Sequence, residues 1–321
     1  MKAIVLRDGQ LNYQPSYPDP VPQTQDETRL KVKLAGICET DLQLAAGYMG
    51  FSGVLGHEFV ATAKEGPFSG QRVVAEINCA CPDCETCNQG RPTHCPTRTV
   101  VGIDRHDGGF AETIYVPQRN LHLVPDSVSD DEAVFTEPLA AAFQIVEQVE
   151  ITGKDRVAIL GDGRLGFLCA QVLALKSDHL TIFGKHGGKL LRFGKRGYET
   201  IQIASSHPEE VPDSAFDVVV DCTGSVSGLP MAIQLVRPRG TIVLKTTVAE
   251  PYSIPLSSLV IDEINLVGSR CGPFDRALKA LAGGRIDVSG LITNRFKLSD
   301  CDQAFQVAAR ETAFKVVFDI G

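Results

Sequence analysis

The chain has 321 residues, which at about 150 residues per domain predicts two domains. It carries 31 Lys and Arg against 39 Asp and Glu, a formal net charge of −8, and this acidic balance argues against a nucleic-acid partner. The longest apolar stretch, 133–146, is interrupted by Glu137 and is too short to span a bilayer. The first apolar run, MKAIVL, is too short for a signal peptide. We therefore expect a soluble cytoplasmic protein with no membrane partner.

The first part of the chain, to about residue 125, is rich in predicted strands. Apolar and charged residues alternate from Leu30 to Leu34, which is the period of a half-buried strand. Further short β segments, separated by Gly and Pro, are predicted at 59–63, 72–77, 109–116 and 120–124. This pattern indicates a small β-rich domain.

The pattern changes at Ser129, which together with Glu132 fits a capping box before an apolar run. Pro138 then indicates the start of a second helix. Beyond residue 155, helical segments alternate with short apolar strands, which is typical of a parallel sheet covered on both faces. Six strands, as in a doubly wound dinucleotide-binding domain, are predicted at 156–160, 180–183, 200–203, 217–221, 241–245 and 265–268. Two amphipathic helices and a strand at 314–318 follow them.

A glycine-rich turn follows the first of these six strands. Gly161, Gly163 and Gly166 form the pattern G-x-G-x-x-G, with Leu165 before the last glycine, at the head of a predicted helix. The glycines allow a tight turn, a close approach of pyrophosphate and close packing of the helix on the strand. The helix N-terminus offers free N–H groups to the phosphates. We predict that these four residues bind a dinucleotide.

The choice between NAD and NADP depends on the end of the next strand, where an acidic residue marks NAD. Here the strand is followed by Gly184, Lys185 and His186, without a carboxylate. Glycine leaves room for a 2′-phosphate, and the two basic residues, helped by Lys189 or Arg192, could neutralise it. We therefore favour NADP, the alternative being an exposed basic turn in an NAD enzyme that lacks the usual acid.

Ten cysteines occur in the chain, and five of them fall between residues 79 and 95. In a reducing compartment such a cluster indicates metal ligands rather than disulfides. Four of them have the spacing C-x2-C-x2-C-x7-C, which favours a structural zinc: Cys81, Cys84, Cys87 and Cys95. A ferredoxin-like iron–sulfur cluster shares the first two gaps. Cys79 or His94 could also take a ligand position.

Several segments resemble the zinc-dependent medium-chain alcohol dehydrogenase family, which includes polyol, glucose and threonine dehydrogenases. The segments GICETD, LGHEF and EPLA, the cysteine lobe, GGFAE, VVVDCTG and VRPRGTIVL carry the resemblance, in this family's order and over essentially the whole chain. Taken singly, Cys38, His57, Glu58 and Glu137 could each be ordinary structural residues. The resemblance instead implies that Cys38 and His57 bind a catalytic zinc, and that Glu58 and Glu137 complete the site, one directly and the other directly or through water.

The resemblance also implies roles for other residues. Thr40 matches the hydroxyl that takes the proton from the alcohol, and Lys315 matches a basic residue placed on the pyrophosphate. Residues expected near the nicotinamide are Thr223 and Gly224 in one strand-end loop and Ser269 and Arg270 in another. The implied fold is α/β: a GroES-like β-rich catalytic domain, 1–139 and 270–321 with the zinc lobe 79–95, and a doubly wound parallel-sheet Rossmann domain, 140–269.

The implied function is hydride transfer between a secondary alcohol, such as a polyol or sugar, and NAD(P). Two zinc ions per chain, a small alcohol or carbonyl substrate and a homodimer or homotetramer are expected with it. Two alternatives stay open at this point. One is a zinc-free enone or quinone reductase of the same architecture, and the other is a non-catalytic zinc-lobe module that binds a protein.

Overall fold

The computed structural model describes residues 1–203, 213–247, 253–254 and 256–321. It separates into two compact units, of which the first is Met1–Glu137 with Phe274–Gly321 and the second is Pro138–Pro273. The first unit is therefore discontinuous in sequence, because the second is inserted into it. No helix in the described ranges is both long and apolar enough to cross a membrane.

The first unit consists mainly of short β-strands. Its strands are β1 (Ala3–Arg7), β2 (Gln10–Gln14), β3 (Glu27–Gly36), β4 (Gly53–Val54), β5 (Glu58–Ala63), β6 (Arg72–Ala75), β7 (Asn78–Cys79), β8 (Thr99–Val101), β9 (Arg105–His106), β10 (Thr113–Pro117), β11 (Leu121–Leu123), β18 (Ile292–Phe296) and β19 (Lys315–Asp319). Its helices are α1 (Glu39–Ala45), α2 (Glu85–Asn88), α3 (Asp130–Ala133), α9 (Phe274–Ala282) and α10 (Cys301–Ala308).

Strand β3 is central to the main sheet of the first unit, where it pairs antiparallel with β5, β10 and β19. Leu30, Val32 and Leu34 face the core and are buried, as the alternating pattern predicts. The core contains Phe110, whose ring makes an edge contact with Phe318 at 5.0 Å between centroids. Pairing of β19 with β3 brings the last part of the chain to the start of the first unit.

His122 connects β11 to α9 within the first unit. Its Nε2 lies 3.0 Å from Glu76 Oε1, and its Nδ1 lies 2.8 Å from Asp275 Oδ1. Burial opposes protonation of this ring, but the two carboxylates outweigh it and raise the pKa of His122 above its usual value. The charged histidine therefore stabilises the contact between these two elements.

The second unit alternates strands and helices. In chain order these are α4 (Thr136–Gln148, which begins in the first unit), β12 (Val157–Leu160), α5 (Arg164–Ala174), β13 (Leu180–Gly184), α6 (Gly187–Gly194), β14 (Glu199–Gln202), β15 (Phe216–Asp221), α7 (Gly228–Leu235), β16 (Val236–Leu244), α8 (Leu256–Ile261) and β17 (Asn265–Gly268). In the described ranges the six strands form one parallel sheet, in the order β14-β13-β12-β15-β16-β17. This is the doubly wound order, in which ligands bind at the carboxyl ends of the strands.

Candidate metal and dinucleotide sites

Three side chains predicted to bind a catalytic metal come together in the first unit. Cys38 follows β3 and is the N-cap residue of α1, while His57 and Glu58 lie at the start of β5. Since β3 and β5 are neighbours, with Gly36 paired to Glu58, their ends are adjacent. One ligand atom from each of Cys38, His57 and Glu58 lies within 4.8 Å of the others. His57 and Glu58 are buried and Cys38 is half-buried.

Asp41 supports two of these residues and was not identified from the sequence. Its carboxylate is completely buried, and Oδ2 accepts a 2.8 Å hydrogen bond from the backbone N–H of Cys38. Its Oδ1 lies 3.4 Å from Nδ1 of His57. Burial opposes protonation of His57, but Asp41 and Cys38 outweigh it and raise its pKa well above the usual value. A carboxylate beside one ring nitrogen of a histidine orients the other nitrogen toward a metal. In the sequence, the available signal for Asp41 was its position three residues after Cys38.

Glu58 has one bonded and one unbonded carboxylate oxygen. Oε2 accepts a hydrogen bond from Nζ of Lys315, and both side chains are almost completely buried. Lys315 Nζ also lies 3.4 Å from the carbonyl oxygen of Ile37 and 5.7 Å from the ring centroid of Phe135. Glu58 Oε1 is buried without a hydrogen-bond partner. Lys315, which the sequence placed on the pyrophosphate, thus has its ammonium on Glu58.

This site fits a zinc ion. Thiolate sulfur, imidazole nitrogen and carboxylate oxygen are zinc ligands, and three protein ligands leave an open position. A buried carboxylate oxygen without a hydrogen bond is costly unless something binds it, so Glu58 Oε1 is available to a metal. Thr40 Oγ1 lies 3.8 Å from Cys38 Sγ. Glu137 is half-buried in the first turn of α4 and lies outside the group formed by the other three residues.

The cysteine lobe forms a second group in the described part of the chain. The ligand atoms of Cys81, Cys84, Cys87 and Cys95 lie within 4.8 Å of one another. Sulfur–sulfur distances are 3.5 Å for Cys81 and Cys95, 3.8 Å for Cys84 and Cys95, and 3.9 Å for Cys81 and Cys87. Tetrahedral zinc with 2.3 Å bonds places sulfurs about 3.8 Å apart. A cluster of several irons would hold them farther apart, so the spacing fits one zinc.

Cys79 and His94 were the other candidate metal ligands near the cysteine lobe. Neither Cys79 nor His94 belongs to the four-sulfur group. Burial raises the pKa of Cys79 to about 12, so this thiol stays protonated. Burial also opposes ionisation of Cys95, but hydrogen bonds with Thr97 and the backbone of Cys81 outweigh it and lower the pKa of Cys95 to about 6. Cys95 is therefore ready to bind a cation as a thiolate.

The glycine-rich turn lies between β12 and α5 in the second unit. Gly161 has φ +119°, and a Cβ there would lie 2.6 Å from the carbonyl oxygen of Cys222. A Cβ on Gly166 would lie 2.1 Å from the carbonyl oxygen of Gly161, so close packing requires glycine at both positions. Gly163 is the N-cap of α5, and a Cβ there would meet nothing within 4 Å. Leu165 is half-buried in the first turn. This open helix N-terminus fits a pyrophosphate.

The end of β13 differs from what the sequence suggests, because a carboxylate lies against it. Asp162, between the first two glycines, is 6% exposed and its Oδ2 accepts a 2.6 Å hydrogen bond from the backbone N–H of His186. The ring Nδ1 of His186 lies 3.1 Å from both carboxylate oxygens. A Cβ on Gly184 would lie 2.6 Å from Asp162 Oδ2. Lys185 is exposed. Sequence reasoning considered only residues near the strand and missed Asp162.

Thr223 and Gly224 lie at the carboxyl end of β15. The backbone N–H and the hydroxyl of Thr223 donate to Asp221 Oδ1 at 2.9 and 2.7 Å. The hydroxyl of Thr246 donates to the same oxygen at 3.0 Å and accepts from the N–H of Gly224, also at 3.0 Å. The buried carboxylate of Asp221 thus fixes this loop, at the sheet edge where ligands bind.

Ser269 and Arg270 follow the carboxyl end of β17. Lys245 Nζ donates to Ser269 Oγ at 3.3 Å, to the carbonyl oxygen of Arg270 at 2.9 Å and to that of Ala141 at 2.6 Å. Lys245 directly follows β16, so it ties the ends of two neighbouring strands to the start of α4. The structure therefore places both predicted pairs of residues at the carboxyl edge of the parallel sheet.

Comparison with known proteins shows that this chain is similar to zinc-binding dehydrogenases. Residues 24–126 match the family model of the alcohol dehydrogenase GroES-like domain, and residues 197–284 match that of zinc-binding dehydrogenase. The sorbitol dehydrogenase of Halalkalibacterium halodurans is 29% identical over 322 residues, covering 94% of this chain and 93% of that protein.

Two solved structures resemble the whole chain. A zinc-binding dehydrogenase of Sinorhizobium meliloti 1021 bound to NADP has a TM-score of 0.86 and 27% identity, covering 99% of this chain and 98% of that one. An alcohol dehydrogenase of Escherichia coli CFT073 complexed with NADH has a TM-score of 0.89 and 27% identity, covering 99% of both chains.

Proposed function

Because this chain belongs to the zinc-dependent medium-chain alcohol dehydrogenase family, we propose that it transfers a hydride between a polar secondary alcohol and a nicotinamide dinucleotide. It is an oxidoreductase that combines a GroES-like β-rich part with a Rossmann-type sheet. The buried group of Cys38, His57 and Glu58 is the observation that carries the proposal, since it assembles three metal ligands of different chemistry.

Cys38, His57 and Glu58 would hold a catalytic zinc. A zinc ion there would polarise the alcohol oxygen and ease the loss of its proton. Asp41 accepts a hydrogen bond from the backbone N–H of Cys38 and has its other oxygen 3.4 Å from Nδ1 of His57, so it would position two of the ligands. Lys315 engages one oxygen of Glu58 and leaves Oε1 for the metal or for a water. The part of Glu137 in this site stays a prediction.

Thr40 is the residue that would accept the substrate proton. Its hydroxyl lies beside Cys38 Sγ, at 3.8 Å, and the side chain is half-buried. A hydroxyl can accept one proton while it donates another, so it can act as the first step of a relay toward solvent.

A polyol, a sugar or another polar secondary alcohol is the substrate class we favour. A carboxylate ligand gives the site a harder character than a site with a second thiolate, and oxygen ligands suit exchange of water and hydroxyl groups. The resemblance to a sorbitol dehydrogenase, which covers nearly the whole chain, supports the same class.

The Rossmann-type sheet would bind the dinucleotide, which supplies the hydride acceptor. The open N-terminus of α5 fits the pyrophosphate, and the loop fixed by Asp221 lies at the same sheet edge. The related structures hold NADP in one case and NADH in the other. Gly184, Lys185 and His186 predict NADP, and the related structures leave this choice open. The carboxylate of Asp162, which is bonded to His186 at this turn, argues against that prediction.

We expect a homodimer or homotetramer. Strand β17 is at the edge of the parallel sheet in the described ranges, with an unpaired backbone on one side. Apolar side chains on β17 and α8 are exposed, namely Leu256, Val260, Ile261 and Leu266. Exposed edges and apolar patches of this kind mark interfaces. Sedimentation equilibrium of the purified protein tests this, and a monomer at micromolar concentration would contradict it.

A Cys38→Ser variant tests the proposed reaction. We expect turnover of polyols with either dinucleotide, followed as absorbance of the reduced nicotinamide, to fall by at least about a hundredfold. Zinc content should fall from two to one per chain, since the lobe keeps its ion. The control is Cys301→Ser, a buried cysteine of the same unit that belongs to neither group.

The same measurements separate the proposal from its alternatives. In a zinc-free enone or quinone reductase the wild type would hold only the lobe zinc, and Cys38→Ser would keep its activity. A protein-binding zinc module would show no turnover that depends on a dinucleotide. The unbonded Oε1 of buried Glu58 favours the zinc-dependent reaction, because a catalytic zinc would give that oxygen a partner.

A further inference from the structure

The parallel sheet has a buried carboxylate at the position where its second strand ends, although no acidic residue follows that strand. This carboxylate belongs to Asp162 in the glycine-rich turn, which is 24 residues before His186. It lies so close to Gly184 that a Cβ there would be 2.6 Å from both Cβ and Oδ2 of Asp162. Asp162 therefore fills the space that an acidic side chain at Gly184 would need.

We propose that Asp162 is the residue that selects the dinucleotide, and that it favours NAD over NADP. This inference rests on the proposed use of a nicotinamide dinucleotide. A carboxylate at the end of the second strand binds ribose hydroxyls and repels a 2′-phosphate. Asp162 supplies such a carboxylate from the glycine-rich turn. The acid that selects the dinucleotide therefore lies before the second strand in sequence, and not directly after it.

The hydrogen bonds of Asp162 support this role. A carboxylate has about four acceptor positions, and within the described part of the chain the backbone N–H and the ring Nδ1 of His186 are the two donors that reach it. Acceptor capacity therefore remains for a ribose hydroxyl. The two N–H donors also hold the side chain in one place, and its 6% exposure keeps its charge poorly screened.

The same contacts weaken the case for a phosphate site at this turn. His186 was expected to neutralise a 2′-phosphate, but both its backbone N–H and its Nδ1 are bonded to Asp162. Lys185 is exposed, and its carbonyl oxygen accepts a 3.1 Å hydrogen bond from Gln202. Among the described residues, a phosphate at this turn would meet the carboxylate of Asp162, which is held in place by His186 and would repel a dianion.

Binding of the two reduced dinucleotides, measured by fluorescence titration of the purified protein, tests the proposal without turnover. We expect the wild type to bind NADH at least about tenfold more tightly than NADPH, and Asp162→Asn to reduce this ratio at least about tenfold. The matched control is Asp178→Asn, which makes the same change at an exposed residue. Asp178 precedes the start of β13, at the opposite end of the strand from Gly184. It should leave the ratio within about twofold of the wild type.

Three results would overturn the inference. One is a wild type that prefers NADPH, and it needs no variant, so it stands even if Asp162→Asn does not fold. Another is a folded Asp162→Asn protein whose ratio is the same as that of the wild type. The third is a wild type that binds neither dinucleotide, and this result alone would also remove the proposed function.

Discussion

Lys315→Met should destabilise the first unit strongly, because it leaves a buried carboxylate without its cation. Glu58 is 1% exposed and Lys315 is completely buried, so water cannot replace the lost ammonium. Oε1 of Glu58 already lacks a hydrogen-bond partner, so the variant leaves both oxygens unsatisfied. Removing one partner of a buried ion pair costs about 3–5 kcal/mol, which is a large part of a total stability of about 5–15 kcal/mol.

Urea denaturation of metal-stripped and zinc-loaded protein measures this cost. With a slope of about 3 kcal/mol/M, the midpoint of metal-stripped Lys315→Met should fall by about 1–2 M. The fall should be smaller with zinc, since a cation on Glu58 offsets part of the lost charge. Lys31→Met is the matched control, because Lys31 lies on the exposed side of β3. It should change the free energy of unfolding by about 0.5 kcal/mol or less.

The double variant Lys315→Met with Glu58→Gln distinguishes the cost of the broken ion pair from the cost of lost side-chain packing. Removing both charges should restore part of the stability, because a buried neutral amide costs less free energy than a buried carboxylate without its cation. The reasoning would be refuted if Lys315→Met were as stable as the Lys31→Met control. It would also be refuted if the double variant were less stable than the wild type by the full sum of the two single effects.

Two further predictions follow from the first unit. Asp41→Asn keeps the shape of the side chain but removes the charge that orients His57. We therefore expect the zinc affinity of the proposed catalytic site to fall by about 10–100-fold. Competition with a chromophoric chelator measures this affinity, and an unchanged value would contradict the role of Asp41. His122→Gln should cost more stability at pH 5.5 than at pH 8.5, because the pKa of His122 is raised in the folded state and its stabilising charge is lost as pH rises through that pKa. Thermal unfolding of both proteins across this range checks the sign, and a cost that grows with pH would disprove it.

The sequence predicted the strands of the second unit well, because they depend on local patterns, but it gave no helix at α8. Strand β17 has the predicted bounds, and the others agree within a few residues except β16, which starts earlier, at Val236. Ser129 and Glu132 form the predicted capping box. The C-x2-C-x2-C-x7-C spacing likewise predicted a four-sulfur group that the structure contains. In each case the signal lies within a few residues of the feature.

Residues that act over long distances in the chain were harder to predict. Lys315 and Glu58 are 257 residues apart, so no periodicity connects them. They come together because β19 and β5 pair with opposite sides of β3. Asp162 was overlooked because its carboxylate acts at the end of a different strand from the one it follows. Asp41 lay within GICETD, but a short acidic residue after a ligand has an equally ordinary explanation as a helix-capping residue.

The pairing of Lys315 with Glu58 also has a consequence for synthesis of the protein on the ribosome. Translation proceeds at about 5–20 residues per second, so the 257 residues between the two take about 13–50 s to make. During that time Glu58 has no ammonium to bind, and β3 lacks β19 as a neighbour. The sequence of the Rossmann-type unit is complete first, so this unit can form its sheet before β19 is available to the proposed metal site.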